Sequence, residues 1–591
     1  MSKDLARSKH TTFEMSRFLE LFLQKSLLKV SIKTLILILI ITLIVFFNGE
    51  YIGFILKTIA PGKSFVEARM SERNNILYLK TTLLFASVCF LLIKSGCFTY
   101  FLKSIVWFFR NLNKYWLSVP RFERNMALLL FSTTALFRIF WVFELPITHD
   151  EASTYVNFTG RGLLYAMGYY TAPNNHILNS VLAVFTCKLP IQTTIALRIP
   201  SFLAGMASVV ALWFFLRRNT SSASIALLIS GEFAMTYFIT DYGVMARGYS
   251  FILLFFTVSF YVLLKWLEAE NDNVYEPKAI FGIASVLGFY AIPTYLYAHV
   301  PLCLGFLFFS IKNKTRVFSF FKINLFIVTA VLCLYLPVVM ISGLDSLIHN
   351  RYVERVSSMF VFKNLTEHFN NVFSHFFFNV SGLPLLVLVL AIFILFKTWL
   401  LNRSVVISVL VLLMAPILIL IQGVLPFERT WIYFFLPVLV LVSHGINIIC
   451  ESWLKKHWNL NRALPVLLPL ICIPIAVNTH NRMKNRHSDG KSAYELRDII
   501  MNRIPAGETL ISMDYISHTI LQYYKKQNQN FTLNLYLPEN SLKNIKVELL
   551  NKKNTFWITK KNDNNSINNR NADKLIQIYS GEEYCVFKNK N

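Results

Sequence analysis

The sequence predicts a polytopic α-helical membrane protein of about 13 spans with a small α/β domain at its C-terminal end. Three observations predict it. Hydrophobic residues make up 55% of the 591 and charged residues only 15%, where a soluble chain carries about a quarter charged. The apolar residues come in unbroken blocks, such as "TLILILIITLIVFF" (34–47), "VLVLAIFILF" (387–396) and "VVISVLVLLMAPILILI" (405–421), and a bilayer core takes roughly 20 such residues per helix. From about residue 480 the chain then turns polar, and its apolar residues alternate in short runs.

Taken in order, the expected spans are 34–56, 78–95, 125–145, 196–216, 222–240, 247–266, 278–293, 295–311, 323–342, 383–400, 404–424, 430–450 and 463–479. The first run is too long for the apolar part of a signal peptide and lacks a small-residue cleavage site, so it is expected to stay as an anchor. The segments 96–120 and 162–190 mix aromatic with polar or basic residues and read as interfacial. In the tail, "ETLISM", "FTLNLYL", "NTFWITK" and "YCVFKN" read as strands, with helical patterns in "ISHTILQYYKK" and "NSLKNIKVELL". The expected organisation is an N-terminal extension over 1–120, a membrane core over 121–480 and the α/β domain over 481–591.

Charge orients this assembly. The net charge of +26 lies mostly between apolar blocks, without a nucleic-acid-binding motif, so membrane lipids and not nucleic acids are the expected partners. Placing Lys25, Lys29 and Lys33 in the cytoplasm makes "RNLNKYWLSVPRFER", "RRNTSS", "KNKTRVFSFFK", "KTWLLNR" and "KKHWNLNR" inside loops, as the positive-inside rule asks. The N-terminus is then cytoplasmic and the C-terminal domain extracytoplasmic. An Asn-, Lys- and Ile-rich composition is compatible with an AT-rich bacterial genome, which makes the bacterial inner membrane the expected location. The scattered cysteines show neither a disulfide framework nor metal-ligand spacing.

With this topology, polar groups from distant segments reach one outer face. "FELPITHDEASTYVNF" brings Asp150 and Glu151, "TAPNNHILNS" brings Asn175 and His176, and "TDYGVMARGYS" brings Arg247 and Tyr249. "HNRYVERV" brings Arg351 and Arg355, and "LPFERTWIYFFLP" brings Glu428 and Arg429. Arginines grip phosphate bidentately, a carboxylate can take a proton from a hydroxyl, and tyrosines suit both sugar faces and the membrane interface. The substrate implied is half lipid and half polar. The carboxylate pair also has a plainer reading as the cap of an interfacial helix. Arg198, near the outer end of a span, is expected to meet lipid phosphate.

The ordered set "HDEASTYVNF", "PNNHILNS", "ALRIPSFLAGMASVVALWFFLRRN", "MARGYSFILLF" and "ERTWIYFFLP", over roughly 125–450, resembles the GT-C superfamily of membrane glycosyltransferases. The resemblance is to its protein-mannosyltransferase-like and aminoarabinose-transferase-like branches. It implies a polyprenyl-phosphate-linked sugar donor, a lipid, glycan or protein acceptor, and inverting transfer at the extracytoplasmic face. It makes Asp150 the catalytic base with Glu151 beside it, and Arg247, Arg429, Arg351 and Arg355 the donor-phosphate ligands. Asn175, His176, Tyr249 and Glu428 are then substrate contacts. "PNNHILNS" departs from the His-Pro-Pro-Leu wording usual there. Asp150 and Glu151 lack an Asp-x-Asp spacing, so no metal or other cofactor is predicted. Two other readings compete: a glycan polymerase or ligase with a lipid-diphosphate donor, for which 343–382 would be the arginine-bearing loop, and a lipid-linked-sugar flippase or transporter. A transporter expects polar residues through both halves of the membrane; here they gather on one side.

Overall fold

The computed structural model describes residues 97–170, 174–220, 222–269, 275–343, 345–348, 355–377, 402–450, 460–505, 507–528, 532–535, 554–561 and 574–590. The expected spans at 34–56, 78–95 and 383–400, and Arg351, lie outside the described residues. The chain divides into two compact units, 1–103 and 104–591. Of the first, only the helical residues from Cys97 onward are described.

The described residues contain seven helices long and apolar enough to cross a membrane, or eight if one bent pair counts as a single span. Helix α1 (Cys97–Ser118) sets an aromatic face on the core, with Phe108 against Tyr261 and Trp116 against Trp213. Helix α2 (Arg121–Glu144) is the first described span. Two short helices follow α3 (His149–Asn157): α4 (Leu163–Gly168) and α5 (Ile177–Thr186). Helix α6 (Thr193–Asn219) runs through the centre of the bundle. Helices α7 (Ala223–Met235) and α8 (Tyr237–Val244) are one apolar segment bent by 59° at Thr236.

Helix α9 (Tyr249–Glu268) packs beside α6. The expected spans at 278–293 and 295–311 become α10 (Tyr275–Ala291) and α11 (Leu296–Ser310), of 17 and 15 residues. Both fall short of the roughly 20 residues a straight span needs. Then come α12 (Lys314–Ile341), α13 (Ser358–Phe377), α14 (Arg403–Gln422) and, after a 3-10 turn at Glu428–Phe434, α15 (Phe435–Ile449).

The outward faces are as apolar as the core. On α12, Phe318, Phe321, Leu325, Val328 and Leu332 are all exposed, and their spacing places them along one helix stripe. Leu129, Leu136, Phe140 and Phe143 do the same on α2. Water would not tolerate such stripes, but hydrocarbon would. The chain is an integral membrane protein.

The expected boundary at 480 falls inside a continuous helix, α16 (Leu460–Asp489), which leads directly to α17 (Lys491–Asp498). Five strands follow: β1 (Thr509–Ser512), β2 (Thr532–Leu535), β3 (Thr555–Lys560), β4 (Leu575–Ser580) and β5 (Tyr584–Asn589). Their order is β2-β1-β3-β5-β4. β1 pairs in parallel with β2 and β3, while β5 pairs antiparallel with β3 and β4. A parallel pair needs a crossover, and α18 (Tyr515–Asn528) supplies it between β1 and β2. The reading of the sequence missed β4, whose residues after Leu575 are mostly exposed and show no clear alternation.

This small domain grips one short helix of the membrane part. Ile520 and Tyr523 of α18 share an apolar cluster with Ile147, Ala152 and Val156 around α3. The Tyr523 hydroxyl lies 2.7 Å from Thr194 Oγ1, and Lys526 Nζ donates to the Val156 carbonyl at 3.0 Å. Helix α3 is thereby held from both sides.

Candidate active site

Helix α3 begins where it does because Thr148 and Glu151 form a reciprocal cap. The Glu151 amide donates to Thr148 Oγ1 at 3.3 Å, and the Thr148 amide donates to Glu151 Oε2 at 3.0 Å. This Thr-x-x-Glu box satisfies amides that the first helical turn leaves unpaired. The capping role expected for the acidic pair therefore falls on Glu151.

Glu151 does more than cap. It is fully buried, and Arg198 of α6 meets it with Nε on Oε1 and Nη2 on Oε2, both at 2.8 Å. The rest of the Arg198 guanidinium donates to the carbonyls of Val142, Leu145 and Pro146. Burial alone would raise the Glu151 pKa, but Arg198 and the amides of Thr148 and Ala246 outweigh it and hold the carboxyl below its ordinary value. Two expectations change here. Arg198 does not meet lipid phosphate, because all of its donors are taken inside the protein. Glu151 has no face open to a substrate, because its partners enclose it.

Asp150, one residue earlier, points the other way and is 31% exposed. Its Oδ2 lies 3.6 Å from Arg247 Nη2 and 3.8 Å from Arg429 Nη1, and its Oδ1 lies 3.7 Å from His149 Nδ1. Partial burial pushes its pKa up, but Arg247, the neighbouring His149 and Arg429 push harder. The carboxyl is held well below the usual carboxylate range.

Arg247 reaches Asp150 from a strap, Met245–Gly248, that joins α8 to α9. Three elements hold its amides. Ala246 N–H donates to Glu151 Oε1 at 3.0 Å, Arg247 N–H to Ser201 Oγ of α6 at 3.0 Å, and Gly248 N–H to His176 Nδ1 at 2.6 Å. Ser201 Oγ also lies 2.7 Å from the Arg247 carbonyl and 2.8 Å from Asn179 Oδ1 of α5. Only glycine fits at 248, since a Cβ there would sit 2.9 Å from His176 Nδ1. The Arg247 side chain, 2% exposed, hydrogen-bonds both the carbonyl and side-chain oxygens of Asn174 while facing Asp150.

The bond from Gly248 fixes the imidazole of His176. Burial, then Arg247 and Arg429, depress its pKa well below the ordinary value, so the ring is neutral. With Nδ1 accepting, the proton sits on Nε2. Tyr249 packs edge-on against that ring, with centroids 4.9 Å apart, and also touches Tyr242 at 4.6 Å.

Arg429 stands in the 3-10 turn before α15, 38% exposed and 4.8 Å above the Phe427 ring. Glu428 beside it is half-buried. Arg355 is exposed, and the next residue, Val356, donates its amide to the carbonyl of Gly423, the residue that follows α14. Asn175 departs from expectation. Its amide donates to the carbonyls of Ala166 and Tyr169 and its oxygen accepts from Ser180, so it holds its own loop together. Among the described residues no group of three or more His, Cys, Asp or Glu side chains is arranged to hold a metal ion.

The reading of the sequence missed Ser201, Asn179 and Arg486. The Thr-x-x-Glu spacing at 148–151 was the signal for the cap. Nothing local marks Ser201, whose importance comes from where α6 passes the strap. Below the strap, Arg486 of α16 forms an ion pair with the buried Asp241 of α8 and contacts Met245 Sδ.

Comparison of the sequence with protein-family models and with curated proteins finds no match. Comparison with solved structures does. ArnT from Cupriavidus metallidurans in the apo state superposes with a TM-score of 0.54 at 10% identity, covering 78% of this chain and 98% of that one. The same protein bound to undecaprenyl phosphate gives a TM-score of 0.51 at 11% identity, with the same coverage. The resemblance first seen in the ordered motifs extends to the architecture: this chain shares the fold of ArnT.

Proposed function

We propose that this protein is an inverting glycosyltransferase that moves a sugar from a polyprenyl-phosphate donor to an acceptor hydroxyl at the extracytoplasmic face of the membrane. One observation carries the reading: a half-open carboxylate, Asp150, faces two arginines from segments far apart in sequence, Arg247 and Arg429. A pair of guanidinium groups beside one ionised carboxylate suits a phosphate leaving group and a hydroxyl to be deprotonated. The fold shared with a protein bound to undecaprenyl phosphate supports the donor class.

In this mechanism Arg247 and Arg429 bind the donor phosphate. Asp150 takes the acceptor proton as the hydroxyl oxygen attacks the anomeric carbon, and the bond to the phosphate oxygen breaks with its electrons stabilised by the arginines. His176 offers Nε2–H to a substrate oxygen. Glu151 is a positioning residue that holds α3 and the strap together. Arg355 lines the approach to Arg429, and Tyr249 orients His176.

The depressed pKa of Asp150 imposes an order. While both arginines face it, the carboxylate is a weak base. A phosphate that draws their charge relieves the depression, so donor binding strengthens the base. Donor therefore binds before the acceptor reacts.

The test is transfer from radiolabelled polyprenyl-phosphate sugars by the wild type and Asp150→Asn. The expected result is turnover by the wild type and a fall of about 10²–10⁴-fold in the variant, the usual weight of a general base. Equal turnover by both would remove Asp150 from the chemistry. Turnover only with diphosphate donors would favour the polymerase or ligase reading.

A further inference from the structure

Arg138 lies in the α2 span, roughly 9 Å below its end at Glu144 by helix rise, and is completely buried. Such a charge within a span is costly and normally has a purpose. Nothing in the chemistry above uses it. Its Nη2 donates to the carbonyl of Ala234 at 3.1 Å, while Nε and Nη1 find no hydrogen-bond partner among the described residues.

Ala234 belongs to the last turn of α7, at the bend into α8. A bend inside a bundle strands carbonyls that a continuous helix would use. Here each finds a donor. The Glu232 and Phe233 carbonyls accept from the Thr236 amide, Met235 from Thr479 Oγ1 at 2.7 Å, and Ala234 from Arg138. A cation at the C-terminal end of α7 also meets the negative end of that helix dipole.

The same guanidinium touches the other half of the bend. A Cβ on Gly243 of α8 would lie 3.1 Å from Arg138 Nη1, and so would one on Gly205 of α6. Two glycines thus make room for the flat group between α6 and α8. One side chain holds the end of α7 and abuts the face of α8. Two residues beyond Gly243 the strap begins, with Arg247 at its third position.

We propose that Arg138 is a positioning residue for the donor-phosphate site: it sets the bend between α7 and α8 and so aims the strap that carries Arg247. This rests on the proposed role of Arg247, but its structural half can be read without any substrate.

The test uses the full-length protein in detergent or nanodiscs. Hydrogen exchange of peptides covering 245–248 is compared in the wild type, Arg138→Gln and Gly243→Ala, with peptides from α9 as the internal control. Donor KM is measured for the same variants and for Arg138→Gln combined with Arg247→Lys. The expected result is faster exchange in the strap than in α9 for both single variants, and a donor KM raised about tenfold in Arg138→Gln. The double variant is no worse than its worse parent, because both changes remove one contact. Arg138→Lys, which keeps the charge, recovers part of the KM.

Gly243→Ala retains the arginine and crowds it, so it decides the matter if Arg138→Gln fails to fold. Strap exchange at the wild-type rate in Gly243→Ala and in any folded Arg138→Gln would overturn the proposal. So would effects of Arg138→Gln and Arg247→Lys that multiply. Faster strap exchange without transfer from any polyprenyl-phosphate sugar would uphold the positioning role and defeat the proposed function instead.

Discussion

Two layers of charge lie against each other at one end of this bundle, and adjacent residues of one helix belong to different layers. In the buried layer Glu151 pairs with Arg198, both closed off from solvent, and the buried Asp241 pairs with Arg486, whose side chain is 22% exposed. In the open layer Asp150 faces Arg247 and Arg429 across gaps of 3.6 Å and 3.8 Å. The buried carboxylate of Glu151 has its oxygens filled by a guanidinium and two backbone amides. The open carboxylate makes looser ion pairs, too long for direct hydrogen bonds. A group whose partners already sit at ideal distance has nothing left for a ligand. Groups too far apart to bond each other directly keep hydrogen-bonding capacity that a phosphate and a hydroxyl can take up.

If this contrast is right, the largest effect on stability comes from the buried layer. Glu151→Ala or Arg198→Met strands a charge inside the protein, which costs about 3–5 kcal/mol. The expected result is a collapse in monodisperse yield and a large drop in the unfolding midpoint, measured by light scattering during heating. Asp150→Asn, one residue away, should cost no more than about 1 kcal/mol and so move the midpoint little, since loose, part-exposed pairs contribute little. Equal damage from both would erase the distinction between the layers.

Smaller effects sharpen the open layer. Lysine cannot reproduce the fork with which arginine meets phosphate. Arg247→Lys should raise donor KM by about tenfold or more, and Arg429→Lys by less, because Arg429 is 38% exposed while Arg247 is 2%. Steady-state kinetics against donor concentration would check the ranking, and the reverse order would make Arg429 the principal ligand.

The smallest effect concerns pH. Arg247 and Arg429 favour the ionised form of Asp150, so in the free enzyme the acid limb of kcat/KM belongs below the usual carboxylate range. Arg429→Gln removes one favourable charge, which raises the carboxyl pKa and moves that limb to higher pH. A limb that stays in place would mean that a different group governs it.

Much of this was legible in the sequence, for reasons that differ by element. The apolar blocks at 196–216, 247–266 and 404–424 announce helices because hydrocarbon leaves no alternative to internal backbone hydrogen bonding. Asp150, Arg247 and Arg429 stand out because the topology brings these charges, from distant segments, to one face. Glu151 and Asn175 stood out on the same grounds, yet they serve the fold. Charge next to charge in sequence does not say which side of a short helix each one faces. Ser201 and Arg138 were invisible in a different way. A serine in a span is common, an arginine inside one does not announce its partner, and the meaning of both lies in contacts 46 and 96 residues away.

The sequence by itself determined that this protein lives in a membrane and where several of its long helices lie, and it picked out Asp150, Arg247 and Arg429, which the fold brings together. Those follow from transfer of side chains and peptide groups between water and hydrocarbon, a property each segment carries alone. Only the tertiary structure decided which charges close on each other and which stay open. That depends on how α3, α5, α6 and the strap cross, with ångström-scale differences in approach separating a saturated ion pair from one with hydrogen-bonding capacity left for a ligand.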